Sequence, residues 1–261
     1  MSESTNAHAN DAFDEPCAIV LAAGKGTRMK SDLPKVLCPV VDRAMIHFVL
    51  DALENACIKR QIIVVGYEAD AVKKELSSRG GNIEFAYQNE QLGTGHAVQI
   101  CRPALEKQTG PTIVVAGDSP LIQSTSLKKC LDYFRETKPA LLLGTLEKEN
   151  PEGLGRIVRD AAGEFIGIVE HKDASEEQRK ITEVNMSTYL FNTPDLLDAL
   201  SKLSNDNAQG EYYLTDTAKL LREAGRPVEA IAVLKPCESL SINNTDELKL
   251  VDETMRSMGY A

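Results

Sequence analysis

No stretch of this chain approaches the ~20 consecutive apolar residues that a membrane-spanning helix requires, which excludes a transmembrane protein of helical type. The opening MSESTNAHANDAFDEP is acidic and polar with no apolar core. It is not a signal peptide, and residues 1–15 read as a disordered tail. CxxC pairs are missing, and no histidine stands at metal-ligand spacing from the six cysteines Cys17, Cys38, Cys57, Cys101, Cys130 and Cys237. A zinc or disulfide framework is therefore not expected, and the thiols read as small hydrophobes in a reducing compartment. Positive charge is also in deficit. A formal net charge of -10 argues against general binding of nucleic acid or of acidic membrane, since phosphate backbones reward a basic face. Internal repeats and low-complexity linkers are lacking too. What remains is a soluble, cytoplasmic globular protein in which any anion site must be local.

With 261 residues, 43% of them hydrophobic, the chain is long enough to bury a large core without staples. Residues 16–261 are expected to form one domain. Short β-branched runs alternate with helical patterns: strands at 17–23, 61–67, 82–88, 111–121 and 140–147, helices near 44–57, 69–78, 94–107 and 125–136. Pro103 should kink or end the third helix. This alternation predicts an α/β fold, a Rossmann-like, mostly parallel sheet with helices on both faces. The second half changes rhythm, with a hairpin over 155–171, strands at 183–192 and 228–234, and helices near 194–203 and 213–224. A last helix should start at Thr245, with Asn244 as cap and Glu247 three residues on in a capping-box-like start. The sheet is therefore expected to be mixed.

The stretch CAIVLAAGKGTRMKSDLPKVL, residues 17–37, carries the chemistry. It lacks the Walker A spacing, and Met29 stands where a dinucleotide fingerprint needs its third glycine. A loop of small residues leaving a strand end exposes N–H groups that can cradle a phosphate. Lys25, Arg28, Lys30 and Lys35 crowd the same mouth, opposed by Asp32 alone.

LAAGKGTRMKSDLPK (21–35) is similar to the signature of sugar-1-phosphate nucleotidyltransferases. More narrowly, the chain resembles the uridylyltransferase domain of bacterial N-acetylglucosamine-1-phosphate uridylyltransferases. QNEQLGTGHA (88–97), GDSPL (117–121), GLGRIVRD (153–160), GIVEHKDA (167–174) and NDNAQGEYYLTD (205–216) recur there in this order. The likeness covers roughly residues 17 to 257. It implies a reaction that joins UTP and a sugar-1-phosphate with Mg²⁺.

It also implies a site. Arg28, Lys35 and Asp118 would be the catalytic residues, with Asp118 as a Mg²⁺ ligand at the end of a strand. The second metal ligand would be an asparagine of SINNT, Asn243 being favoured and Asn244 left to cap the helix. Backbone groups of Leu21, Ala22, Ala23 and Gly24, together with Gln88, Gly93 and Thr94, would hold the base, Gln88 through its amide edge. Thr94 could also cap the helix it opens, and His96 is read as packing or capping, not as a catalytic base. Ala116 and Gly117, which lead into Asp118, would also contact substrate. The sugar would meet Gly155, Glu170 and Asn185. Tyr212 and Tyr213 are read as packing and left out of the site.

The chain departs from that pattern in places. Asn185-Met186-Ser187 stands where the family often has N-T-G, Ala116 where a tyrosine is common, and GDSPL for G-D-V-P-L. No hexapeptide repeats of an acetyltransferase domain follow Ala261, so acetyl-CoA chemistry is not expected. Other acceptors or bases remain open, as do a catalytically silent subunit and a nucleotide-binding module without transfer.

Overall fold

A computed structural model describes residues 14–29, 31–207 and 209–260. Residues 1–13 of the expected 1–15 tail, and Lys30 of the basic loop, lie outside the described residues. Strand β1 (Cys17–Ala22) is followed by 3₁₀ turns at Thr27–Met29 and Lys35–Leu37. A small hairpin of β2 (Pro39–Val40) and β3 (Arg43–Ala44) then leads into helix α1 (Met45–Asn55). Next come β4 (Arg60–Val65), α2 (Ala69–Leu76), β5 (Asn82–Tyr87), α3 (Thr94–Gln99), α4 (Arg102–Leu105) and β6 (Thr112–Ala116). Helix α5 (Ser124–Thr137) and β7 (Leu141–Glu147) precede a hairpin of β8 (Arg156–Arg159) and β9 (Phe165–Val169). The chain continues through α6 (Glu176–Arg179), β10 (Glu183–Phe191), α7 (Thr193–Ser201), α8 (Asp216–Glu223), β11 (Val228–Ala232) and α9 (Thr245–Ser257).

The main sheet runs β11-β7-β10-β6-β1-β4-β5, with β8 and β9 branching from β10. Strands β6, β1, β4 and β5 are parallel, as are β7 and β11. Strand β10 enters antiparallel between β6 and β7 and makes the sheet mixed, as the altered rhythm of the second half predicts. Strand β1 shows why its sequence is apolar throughout. Cys17 and Ile19 face the core under α3, α4, α7 and α8, while Ala18 and Val20 face the one under α1, α2 and α5, all four fully buried. A strand covered on both faces loses the usual apolar–polar alternation. Each fully buried Ile or Val contributes about 1.5–3 kcal/mol, so β1 anchors both layers.

Local chemistry sets the element ends. Helix α3 stops at Gln99, and Pro103 sits in the first turn of α4. Its ring would clash with the Gln99 carbonyl four residues back if the helix ran on, so the expected break occurs. Helix α9 begins as expected, with the Asn244 side chain accepting from the Asp246 and Glu247 N–H groups at 3.0 and 2.9 Å. The reciprocal bond differs from a capping box. Glu247 accepts from the Asn243 N–H at 2.6 Å, one residue before the cap, and so holds the backbone of Asn243 itself.

Strand order reverses around β1, which has β4 on one side and β6 on the other. In open α/β sheets such a point leaves a crevice beyond the strand carboxyl ends, where ligands bind. The glycine loop leaves β1 there, and Asp118 follows β6 there.

Candidate active site

Lys35 opens the second 3₁₀ turn, directly after Pro34, and Val36 beneath it is buried. That buried neighbour ties the lysine to the crevice instead of leaving it on the surface. Gly26 lies against it in a left-handed conformation (φ 66°), where a Cβ would come within 2.6 Å of the Lys35 Cβ. The Lys35 ammonium donates to Asp118 and, at 3.1 Å, to the Asn243 side-chain oxygen. Both Lys35 and Asp118 are largely withdrawn from solvent, at 16% and 20% side-chain exposure, so the pair is weakly screened. Asn243 is positioned by its neighbours: the Ile242 N–H donates to the Asp118 carbonyl at 3.0 Å, and Asn243 Nδ2 donates to Ser241 at 3.3 Å.

Two cavities adjoin at this point. The smaller, about 340 Å³, is lined by Leu21 to Gly24, Lys35, Gln88, Gly93, Thr94, Ala116 and Asp118. The larger, about 450 Å³, is lined by Gly155, Glu170, His171 and Asn185 among others. Leu21, Thr94 and Ser187 line both and form their common wall.

Most of the expected base-side residues thus converge, but their roles change in detail. A Cβ at Gly24 would meet nothing within 4 Å, so its backbone is open to the cavity. Gln88 donates its amide protons to the Gly93 carbonyl and to His96 Nδ1, both at 3.1 Å. The donor side of the amide is spent inside the protein, so it is the carbonyl that remains for a ligand. Thr94 does not cap its own helix, whose cap is Gly93; its hydroxyl accepts from the Leu214 N–H at 3.1 Å. The GTG turn is instead pressed against Tyr212, whose carbonyl accepts from the Gly95 N–H at 2.7 Å. A Cβ at Gly93 would stand 2.5 Å from that same carbonyl, which is why a glycine is needed there. Gly117 lines neither cavity. Its N–H donates to the Leu21 carbonyl at 2.9 Å, and its small size lets β6 close onto β1.

Arg28, expected beside Lys35, also lines neither cavity. The turn Thr27–Met29 buries Met29 in the cluster under α9 and so directs Arg28 outward, where it is exposed. Lys25 is exposed as well, its ammonium 5.0 Å from the Tyr67 ring centre. Of the described basic residues in the loop, Lys35 is the one that reaches the cavity wall.

On the sugar side the three expected residues do come together. A Cβ on Gly155 would lie 3.7 Å from both Asn185 Cβ and Glu170 Oε1. Loss of hydration, then Asp173 and Asp216, push the Glu170 carboxyl above the usual range. The Asn185 amide donates to the Tyr189 hydroxyl at 2.9 Å and accepts from the Ser187 N–H at 3.2 Å. Tyr213 lines this cavity, although sequence reasoning left it out as packing. Ser187, His171 and Gln91 were also missed. All three lie inside or beside the quoted motifs, so the motifs themselves were the available signal.

Asp118 and Asn243 offer two oxygens that converge on one cation, here the ammonium of Lys35. The donor set therefore suits a hard divalent ion, which needs one or two protein oxygens and completes its shell with phosphate and water. Among the described residues no three His, Cys, Asp or Glu side chains gather as a self-sufficient metal cage. No helix of the described residues is long and apolar enough to cross a membrane.

A glycine loop and a strand-end carboxylate thus meet at the switch point of a mixed α/β sheet, the place where α/β proteins of this class bind ligands. Comparison with known proteins narrows the class. Residues 17–235 match the nucleotidyl transferase family, and the chain belongs to it. It is 45% identical over 239 residues to the bifunctional protein GlmU of Streptococcus gordonii, covering 92% of this chain and 51% of that protein. GlmU of Clostridioides difficile is 43% identical over the same length and coverage. The chain thus spans about half the length of the curated relatives it matches. The fold is shared with a putative glucose-1-phosphate thymidylyltransferase from Bacillus anthracis, with TM-score 0.75 and 19% identity over 94% of this chain and 97% of that one.

Proposed function

We propose that this chain transfers a uridylyl group from UTP to N-acetylglucosamine-1-phosphate, giving UDP-N-acetylglucosamine and pyrophosphate, in the cytoplasm. The observation that carries this reading is the Lys35 ammonium held by Asp118 and Asn243 at the junction of two cavities. One cavity has room and backbone groups for a nucleotide, the other a carboxylate and an amide suited to a sugar.

No covalent nucleophile is required. A phosphomonoester has a second pKa near ~6, so the acceptor oxygen is already ionised at neutral pH. Attack forms the new bond between that oxygen and the α-phosphorus of UTP, and the bond to the departing pyrophosphate breaks. Two anions must be brought together in line, which is a task of positioning and charge neutralisation. Lys35 neutralises the α-phosphate from the wall where it sits. Arg28, exposed on the same loop, is left to meet the departing pyrophosphate from the solvent side. Asp118 and Asn243 would hold Mg²⁺, which when bound supplies a positive charge shared among the phosphates. The backbone of Leu21 to Gly24 and of Gly93, with the Gln88 carbonyl, orients the base. Glu170 and Asn185 orient the sugar beside Gly155.

The test is pyrophosphate release with Mg²⁺ from UTP, CTP, GTP, dTTP or ATP, each paired with N-acetylglucosamine-1-phosphate, glucosamine-1-phosphate or glucose-1-phosphate. Turnover confined to UTP with N-acetylglucosamine-1-phosphate is expected. UTP turnover with a different sugar phosphate would move the acceptor and keep the mechanism. Binding of UTP without pyrophosphate release from any pair would overturn the transferase reading.

A further inference from the structure

Strand β10 carries an irregularity between Asn185 and Thr188, and within it Ser187 adopts a left-handed backbone with φ 55°. Serine is strained there, and glycine is the residue that such a conformation suits. The strain places an exposed hydroxymethyl group on the wall shared by the two cavities. We propose that Ser187 is a further substrate-contacting residue, whose hydroxyl donates a hydrogen bond to the phosphate of the acceptor sugar.

The placement follows from chemistry as well as from position, and it rests on the transferase reading given above. For the acceptor oxygen to reach the α-phosphorus, the sugar phosphate must span the wall that separates the sugar cavity from the nucleotide cavity. Leu21, Thr94 and Ser187 are the residues common to both linings. Leu21 offers an apolar side chain, and the Thr94 hydroxyl is anchored to the segment before α8 by accepting from the Leu214 N–H. Ser187 is tied to the sugar side by its own chain. Its N–H donates to the Asn185 side-chain oxygen at 3.2 Å, and Asn185 in turn donates to the Tyr189 hydroxyl at 2.9 Å. These two bonds fix the turn that presents Ser187 and keep it in register with the sugar-side amide. A hydroxyl aimed at a phosphate oxygen makes a charge-assisted bond, shorter and stronger than a neutral one.

The experiment compares wild type with Ser187→Gly and Ser187→Ala, reading KM and kcat for N-acetylglucosamine-1-phosphate and for UTP, and the thermal midpoint of each protein. Glycine removes the hydroxyl while accepting the left-handed backbone; alanine removes the hydroxyl and keeps the strain. Both variants should raise KM for the sugar phosphate by about 10-fold to 100-fold, the worth of one hydrogen bond to a charged group. KM for UTP should not change, and the thermal midpoint of the glycine variant should not fall. An unchanged sugar-phosphate KM in Ser187→Gly would overturn the assignment. So would a rise in the UTP KM alone, which would place the hydroxyl on the nucleotide. Failure of the transferase reading would show separately, as a folded wild-type protein without turnover.

Discussion

Lys35 donates to the side-chain oxygen of Asn243 at 3.1 Å, although 208 residues separate them in the chain. The contact joins the loop after β1 to the segment before α9, and Asp118 at the end of β6 completes it. Three chain segments therefore meet at one ammonium group. Replacing Lys35 with alanine removes the only described loop cation that lines the smaller cavity. Turnover should fall by about 10²–10³-fold, the usual worth of one electrostatic donor in a transfer reaction. Circular dichroism should show a folded protein, because Val36 and Pro34 still anchor the turn. A folded Lys35→Ala protein with wild-type kcat would remove Lys35 from the mechanism.

Asp118→Asn tests the other side of the same contact. An amide still hydrogen-bonds but brings no charge to a divalent ion. Wild type should gain stability when Mg²⁺ and UTP are added together, by about 2.7 kcal/mol at 100 times the dissociation constant. The variant should lose most of that gain and its metal-dependent turnover, while its midpoint without ligand stays near that of wild type. An equal Mg²⁺-dependent shift in both proteins would remove Asp118 as a ligand.

Gly26 gives a prediction that touches no proposed ligand. A Cβ there would stand 2.6 Å from the Lys35 Cβ, an atom close to the backbone that cannot swing aside, and φ is 66°. Gly26→Ala should therefore displace Lys35 and lower kcat, with a stability cost of about 1–3 kcal/mol for the strained conformation. Measuring kcat beside the thermal midpoint separates the two effects. Full activity with an unchanged midpoint would show that the loop relaxes freely.

The central strands were legible because burial on both faces writes itself as an unbroken apolar run, as in β1 and β6. The break at Pro103 and the cap at Asn244 were legible because each has a local chemical cause. Other features depend on contacts far apart in sequence. That Gly93 must be glycine is set by the Tyr212 carbonyl, and no spacing rule reports that approach. The outward turn of Arg28 follows from where Met29 finds its pocket, under a helix more than two hundred residues later. Ser187 stands inside the noted Asn185-Met186-Ser187, but its left-handed backbone and its place on the shared wall are visible only in the structure. The motifs quoted for the sugar side hold residues that meet on one cavity wall, and Tyr213, read as packing, lines that cavity too, since a tyrosine can pack on one face and line a cavity on the other.

Glu170 links the site to pH. Loss of hydration first, then Asp173 and Asp216, raise its carboxyl above the ordinary glutamate value of 4.5. The folded chain therefore binds this proton more tightly than the unfolded chain does. That favours the fold below the unfolded value, and the advantage is lost as pH rises through the folded pKa. Above it, Glu170 is charged in both states, and the folded state carries a desolvation penalty that a glutamine would not. Glu170→Gln should match the wild-type thermal midpoint below pH 4.5 and exceed it at neutral pH, the gap opening between the two. The same change replaces a charged acceptor by a neutral amide, so KM for the sugar phosphate should rise about 10-fold. Stability gained and affinity lost in one variant is the signature of a group held at a cost for its ligand. A midpoint below wild type at neutral pH would overturn the desolvation account, and an unchanged KM would remove Glu170 from the sugar pocket.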